Sequence, residues 1–377
     1  LSIQPYTNPN LVEQSLDKTA DAFTLSAQFG TPHFSNLSDP AAALTIAQKG
    51  GSLSLVEFLR IRQLLRQVRG LTQWYAQCAG VENSLQELFA ELAPNQALEK
   101  AIDQVVVSEE MVNDYASSTL ADLRRKIASA QAKAKQEMDK IIRSSKYQKA
   151  LQENLITQRD GRFVVPVKAE HKSEIPGLVH DSSASGATLF VEPMGVVEAN
   201  NQIRVLQTQE KAEIQRMLYE LSQTVAEHAR NLMDNFEVVI ALNLCFAKAE
   251  LAAQMNAQKP RLTDTGEIVL NKARHPLLDP KTAVPISLTL GGDCRTLVIT
   301  GPNTGGKTVT LKTIGLLCLM TMCGLLIPVG AGSTMSVFDQ VLADIGDEQS
   351  IEQSLSTFSA HMTILVHILK TADEHSL

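Results

Sequence analysis

Between Asn95 and Asp160, and again between Val196 and Lys259, the chain contains neither glycine nor proline. These two residue types break helices, so tracts of this length without them are suited to long helices. In the first tract Leu120, Leu123, Ile127, Ala130, Ala134, Met138 and Ile141 recur at three- and four-residue steps. In the second Ile214, Leu218, Leu221, Val225, Leu232, Phe236, Val239, Leu242 and Phe246 keep the same rhythm. Each set forms one apolar stripe on a helix, and each stripe needs a partner to cover it. The spacing predicts an arm that runs out over 121–158, carries a small tip over 159–195 and returns antiparallel over 196–258. About 30 helical residues would reach roughly 45 Å. Within the tip, Arg162–Lys168 and Ala187–Val191 are short, β-branched and preceded by Asp160-Gly161 and Ser185-Gly186, which predicts strands. Residues 1–120 show less regular amphipathic patches, such as Leu53 to Leu71, and are expected to be mostly helical.

After Lys259-Pro260 the texture changes. Glu267–Leu270, Ile286–Leu290 and Thr296–Thr300 are strand-like runs, and the last leads into glycines. This predicts an α/β domain over 259–377, so the fold class of the whole is α plus α/β. The glycines belong to Gly301-Pro302-Asn303-Thr304-Gly305-Gly306-Lys307-Thr308, which fits G-x-x-x-x-G-K-[ST]. Glycine lets backbone N–H groups close around phosphate oxygens, and Lys307 supplies a cation for the β- and γ-phosphates. The Thr308 hydroxyl is suited to Mg²⁺, and the helix predicted over Val309–Cys323 points its positive end at the anion. The bland alternative, a structural glycine turn, leaves Lys307 unexplained. ATP and Mg²⁺ are therefore the expected cofactors. Hydrolysis also needs an acidic residue at the end of an apolar strand. Asp344 follows only three apolar residues, Val341-Leu342-Ala343, so that strand is expected beyond Leu377. The chain starts on Leu1 and stops within a helical pattern, which implies further segments at both ends.

Composition narrows the partners. With 34 basic and 41 acidic residues the net charge is −7, which argues against coating nucleic acid by overall positive charge. Locally the balance reverses: from Ala121 to Ala150 nine basic residues, among them Arg124, Arg125, Lys126, Lys133, Lys140 and Arg143, face three acidic ones. Arg159, Arg162, Lys168 and Lys172 surround the tip strands as a second candidate patch for phosphates. A solvated helix face is the competing explanation. The five cysteines are scattered without a CxxC pair, and no run of about 18 apolar residues could span a bilayer. A cytoplasmic protein without a membrane partner is expected. His180-Asp181-Ser182 is read as an Asp/Ser-stabilised turn and not as a hydrolytic triad. Trp74-Tyr75 is read as core.

Several motifs resemble one family. Thr300–Thr308 is similar to the phosphate loop of MutS-family ATPases, Ala273-Arg274-His275-Pro276-Leu277-Leu278 to the segment that opens their ATPase domain, and Ser354–Ser359 to their Ser-Thr-Phe signature. Ile345–Ile351, Val179–Pro193 and Asn200-Asn201 resemble the second MutS subfamily, which lacks a mismatch-reading domain. The resemblance implies a helical lever (1–120, with the arm), a β clamp tip and an ABC-type P-loop ATPase domain that is incomplete over 259–377. It also implies a homodimer whose ATP sites are shared, with Ser356 reaching the partner's γ-phosphate and Val284-Pro285 packed against adenine; a helix N-cap for Ser356 and ordinary strand entry for Val284-Pro285 are the competing explanations, and His275 is read as a structural or nucleotide-edge residue. Its implied targets are branched DNA, in suppressing recombination, and collided ribosomes. ATP hydrolysis is expected of the full-length protein, with a nuclease domain only outside this chain. A nucleotide-binding interaction fragment without turnover is the alternative.

Overall fold

The computed structural model describes residues 3–279, 281–302, 306–345 and 354–377, with 354–360 described by backbone alone. In chain order the first elements are α1 (Pro9–Phe29), α2 (Ala41–Gln48), α3 (Leu55–Ala76), α4 (Gln86–Glu91), α5 (Gln96–Val105) and α6 (Ser118–Arg143). Strands β1 (Thr157–Arg159), β2 (Arg162–Lys168), β3 (Gly177–Ser182) and β4 (Thr188–Pro193) lead into α7 (Met194–Glu227) and α8 (Ala229–Met255). Then come β5 (Arg261–Thr263), β6 (Ile268–Ala273), β7 (Ile286–Leu290), α9 (Lys307–Met322), β8 (Thr334–Ser336) and α10 (Ser354–Thr371). Packing sorts them into two units that are discontinuous in sequence. One is Leu37–Arg66 with Asn95–Met233; the other is Leu1–Asn36, Gln67–Pro94 and Asp234–Leu377.

The first unit is built on α6 and α7. The side chain of Ser117 caps α6 by accepting from Leu120 N (3.0 Å), and Lys140 and Arg143 sit in the last turn, where a helix favours cations. The predicted stripe of α6 is buried from Leu120 to Met138. It joins Ile203 and Leu206 of α7 and Val165, Val167 and Val191 of the sheet in one core. The sheet has the order β1-β2-β4-β3 and is antiparallel throughout. Gly177 pairs with Pro193, and a Cβ there would lie 2.2 Å from the Glu192 carbonyl oxygen, so β3 can approach β4 this closely only with glycine.

Three sequence expectations change here. The outgoing helix stops at Arg143 and not at 158: Ser144 caps it, and the buried Leu151 bridges Val167 at the sheet. Tertiary pairing thus overrides a tract with no breaker. The return tract divides into α7 and α8 at His228. His180-Asp181-Ser182 lies in β3, beside a bulge between Val179 and Asp181, and not in a turn.

In the second unit, sheet β5-β8-β6-β7 packs Ile268, Leu270 and Met335 against Ile314, Leu317 and Cys318 of α9. Burial pushes the Cys318 thiol up to about 12. Trp74 and Tyr75, expected in the core, are only half-buried, on its rim: Tyr75 stacks on Phe89 (4.0 Å), and Trp74 meets Phe246 edge-on at 5.4 Å. Thr296–Thr300 is not a strand. Among the described residues it joins neither sheet, and Val298 is 76% exposed. β-branched composition supplies the propensity for a strand, but a strand exists only with a ladder partner.

Glu213 of α7 links the two arm helices by accepting from Ser117 Oγ (2.8 Å) and from Arg216 Nε and Nη2 (2.9 and 2.8 Å). The Arg216 bonds, then that of Ser117, hold its carboxyl down at about 2. A depressed carboxylate stabilises the fold above its unfolded-state value and loses that contribution as pH falls through the folded one. Glu213→Gln should therefore lower the urea midpoint at pH 7, and the gap from wild type should close between about pH 4.5 and 2.

Candidate functional site

At the phosphate loop the described residues are Gly301, Pro302, Gly306, Lys307 and Thr308; Asn303, Thr304 and Gly305 lie outside them. Gly301 (φ 143°) and Gly306 (φ 77°) take conformations that disfavour a Cβ, and among the described residues nothing lies within 4 Å of where either Cβ would be. Gly306 starts α9 without a side-chain cap, and the first turn holds no acidic residue. The leading N–H groups of α9 are thus not claimed by a side-chain cap, which is what an anion requires. Lys307 Nζ donates to the Gly301 carbonyl, keeping the ammonium across the loop, and Thr308 is exposed in the first turn. These residues fit a polyphosphate.

The other residues expected at the nucleotide are placed less closely. His275 Nδ1 accepts from Leu277 N (3.3 Å) in a turn closed by Leu278 N to His275 O (3.1 Å). Val284 is 82% exposed next to an exposed Pro285, just before β7. Among the described residues, none of these three hydrogen-bonds to the loop. The neighbouring Arg274 donates its backbone N–H to Pro328 O (3.0 Å), while its Nε is buried without a partner among the described residues. Ser356 falls in α10, and its side chain lies outside the described residues. Asp344 is not on a strand; its Oδ1 lies 2.6 Å from Nδ1 of His361 in α10. Sequence reasoning did not single out His361, since nothing in spacing pairs residues 17 apart.

The candidate basic residues separate by what already holds them. Arg124 is engaged by Glu210 (2.7 Å), by Asp114 and by the Val112 carbonyl (3.1 Å). Arg162 donates to both oxygens of Glu192 (2.8 and 3.0 Å) and to Asn201 (2.8 Å). Glu192 is fully buried and also meets His180 Nε2 (2.5 Å) and Asn200 Nδ2 (2.7 Å), while Asn200 brackets the backbone of Phe163. Arg159 lies over the Phe190 ring (3.8 Å) and pairs with Asp181 (3.1 Å). Arg125 and Lys126 share Asp122, and Lys140 pairs with Glu137, all at 2.7 Å on the surface. Among the described residues Lys133, Arg143, Lys168 and Lys172 carry no side-chain hydrogen bond or ion pair. The Glu192 cluster escaped sequence reasoning; its residues come from three strands and a helix.

A P-loop motif stands at the head of a helix that packs one face on a mixed sheet, the arrangement of a P-loop ATPase domain, and residues 297–377 match the model of MutS domain V. Over essentially its whole length the chain is 47% identical to Endonuclease MutS2 of Ruminiclostridium cellulolyticum, covering 48% of that protein. It is 48% identical to Endonuclease MutS2 of Acetivibrio thermocellus and 44% identical to that of Clostridium acetobutylicum, covering 47% and 48% of them. The chain belongs to the MutS2 family and spans about half the length of the curated relatives it matches.

Because Glu192 is buried and is Arg162's main partner, removing it strands a cation. Glu192→Ala should destabilise the protein by about 3–5 kcal/mol in urea unfolding, as breaking a buried pair does.

Proposed function

We propose that this chain is the nucleotide-responsive clamp part of a homodimeric MutS2 protein, which binds ATP and grips nucleic acid. The phosphate loop carries the reading: two glycines in conformations that disfavour side chains, an uncapped helix start and Lys307 converge on one anion site. Backbone N–H groups of α9 and Lys307 would hold the phosphates, and Thr308 would ligate Mg²⁺. Bound Mg²⁺ would neutralise charge on the phosphoryl group during transfer. Gly305, Thr304 and Asn303 complete the loop, Val284, Pro285 and His275 bound the base, and Ser356 acts in the partner's site. This assigns ATP hydrolysis to the full-length protein, in the cytoplasm. The five cysteines are free and, among the described residues, no helix is long and apolar enough to cross a membrane.

For the target, the free cations of the arm and tip, Lys133, Arg143, Lys168 and Lys172, are the primary phosphate contacts. Arg125, Lys126 and Lys140 are secondary, because exposed pairs contribute only about 0–1 kcal/mol and exchange readily for phosphate. Branched DNA is the target this reading favours in suppressing recombination, with ribosomal RNA in collided ribosomes as the second. The relatives are named endonucleases; a nuclease activity is assigned to segments other than this one.

The alternative, nucleotide binding without turnover, draws on Asp344, the one acidic candidate downstream of the loop, being bonded to His361. Turnover by this chain that vanishes with Lys307→Ala would sink it. Lys307→Ala should also weaken ATP binding roughly ten- to hundredfold, since a hydrogen bond to a charged group contributes about 1.5–3 kcal/mol. Lys133→Glu, Lys168→Glu and Lys172→Glu together should weaken junction DNA binding and flatten its salt dependence by about 0.9 in log–log slope per lost phosphate contact. Unchanged slopes would remove these residues from the interface.

A further inference from the structure

Helix α9 is held at its far end as deliberately as it is left open at its near one. It closes with Gly324 in the left-handed region (φ 71°), Gly324 N–H bonding Thr321 O (2.8 Å) and Leu325 N–H bonding Met320 O (2.9 Å). The next carbonyls are all taken by other elements. Met322 O accepts from Tyr6 N (3.0 Å), Gly324 O from Thr19 Oγ1 of α1 (2.7 Å), and Cys323 O from Lys248 Nζ of α8 (2.7 Å). A Cβ on Gly324 would sit 1.9 Å from Ser15 Oγ, so α1 and the end of α9 are in direct contact.

Lys248 is the unusual member. It is 8% exposed, its other hydrogen bond is to Ser15 Oγ (3.4 Å), and no carboxylate pairs with it among the described residues. Burial lowers its pKa, only partly offset by the Cys245 and Cys323 thiols. An ammonium without a countercharge is costly inside a protein, and a methionine would fill similar space without that cost. What the ammonium alone supplies is a directed bond to the negative end of a helix. That bond ties α9 to α8, the helix within which the boundary between the two packing units falls, at Met233/Asp234.

We propose that Lys248 is a positioning residue that fastens the tail of the P-loop helix to α8, so that nucleotide bound at the head of α9 is felt in α8. The proposal rests on the nucleotide-binding reading above. At 16 residues α9 is one continuous helix about 24 Å long, with no break between its head and its tail. A shift at Gly306 and Lys307 is then delivered to the Cys323 carbonyl and, through Lys248, to α8.

The chain contains its own reporter. Trp74, the only tryptophan, packs edge-on at 5.4 Å against Phe246, two positions before Lys248 in α8. With this chain, Mg²⁺ and the slowly hydrolysed analogue ATPγS, binding is measured by equilibrium dialysis and Trp74 emission is followed in parallel. In wild type the emission should change with the midpoint found by dialysis. Lys248→Met should bind within about threefold of wild type, below the usual range of allosteric coupling, and yet lose most of the emission change. Lys248→Arg, which keeps a charged donor, should retain it. A wild-type emission response in Lys248→Met, or wild-type binding with no emission change, would overturn the proposal. Absence of binding in wild type would instead remove the nucleotide reading itself. If Lys248→Met fails to fold, Lys248→Gln decides by the same comparison. Failure of both to fold would show that the lysine serves the fold alone and would also overturn it.

Discussion

Two helices that each carry a single apolar stripe are unstable in water until the stripes meet, and α6 and α7 meet over most of the arm. Small residues on the α6 side, Ala130 and Ala134, let the helices come close, and Ile127 and Met138 fill the remaining space. The same core continues without interruption into Val165, Val167 and Val191, so the β tip is part of the arm's interior and not a bead on a flexible stalk. Polar contacts follow from that approach. Ser117, Glu213 and Arg216, with Arg124 and Glu210, straddle the two helices at their base. The Glu192 cluster does the same work where the sheet meets the start of α7.

Helix α9 has the opposite economy at its two ends. The near end leaves its N–H groups without a side-chain cap and keeps acidic residues out of the first turn. The far end satisfies its carbonyls through a glycine turn and donors from α1, α8 and the segment before α1. Helix ends usually need both sets of orphan groups satisfied; the far end of α9 meets that need from other elements, whereas Gly306 gives the near end no side-chain cap.

What the sequence reveals follows from the range of the forces involved. The stripes, the tip strands, the P-loop and the helix behind it are local patterns, and they read directly from Leu120–Met138, Arg162–Lys168 and Gly301–Thr308. The pairing of those patterns is not local. Arg124 finds Glu210 at a separation of 86 residues, and Thr19 finds Gly324 at 305, distances over which spacing carries no signal. The same limit explains Thr296–Thr300, where a strand-forming composition is legible and the ladder partner that decides the matter is not. It also explains why α6 ends early: Leu151 is drawn to Val167, and no residue type near Arg143 announces it.

Charge counting fails for a related reason. An excess of six basic residues over Ala121–Ala150 suggests one phosphate-binding face, but availability depends on competing acids that the count cannot locate. Arg124 has partners at Glu210 and Asp114 that also fix the arm, and Arg162 has a fully buried carboxylate. Releasing either means leaving a partly buried carboxylate unpaired, at a cost of several kcal/mol in the buried case, which a phosphate at the surface does not repay. Lys126 and Lys140 hold exposed partners worth about 0–1 kcal/mol and can let go. The cations that face water without a partner among the described residues, Lys133, Arg143 and Lys172, with the half-buried Lys168, need release nothing. Commitment therefore does not follow position along the arm: Arg162 in the tip is held as firmly as Arg124 at the base.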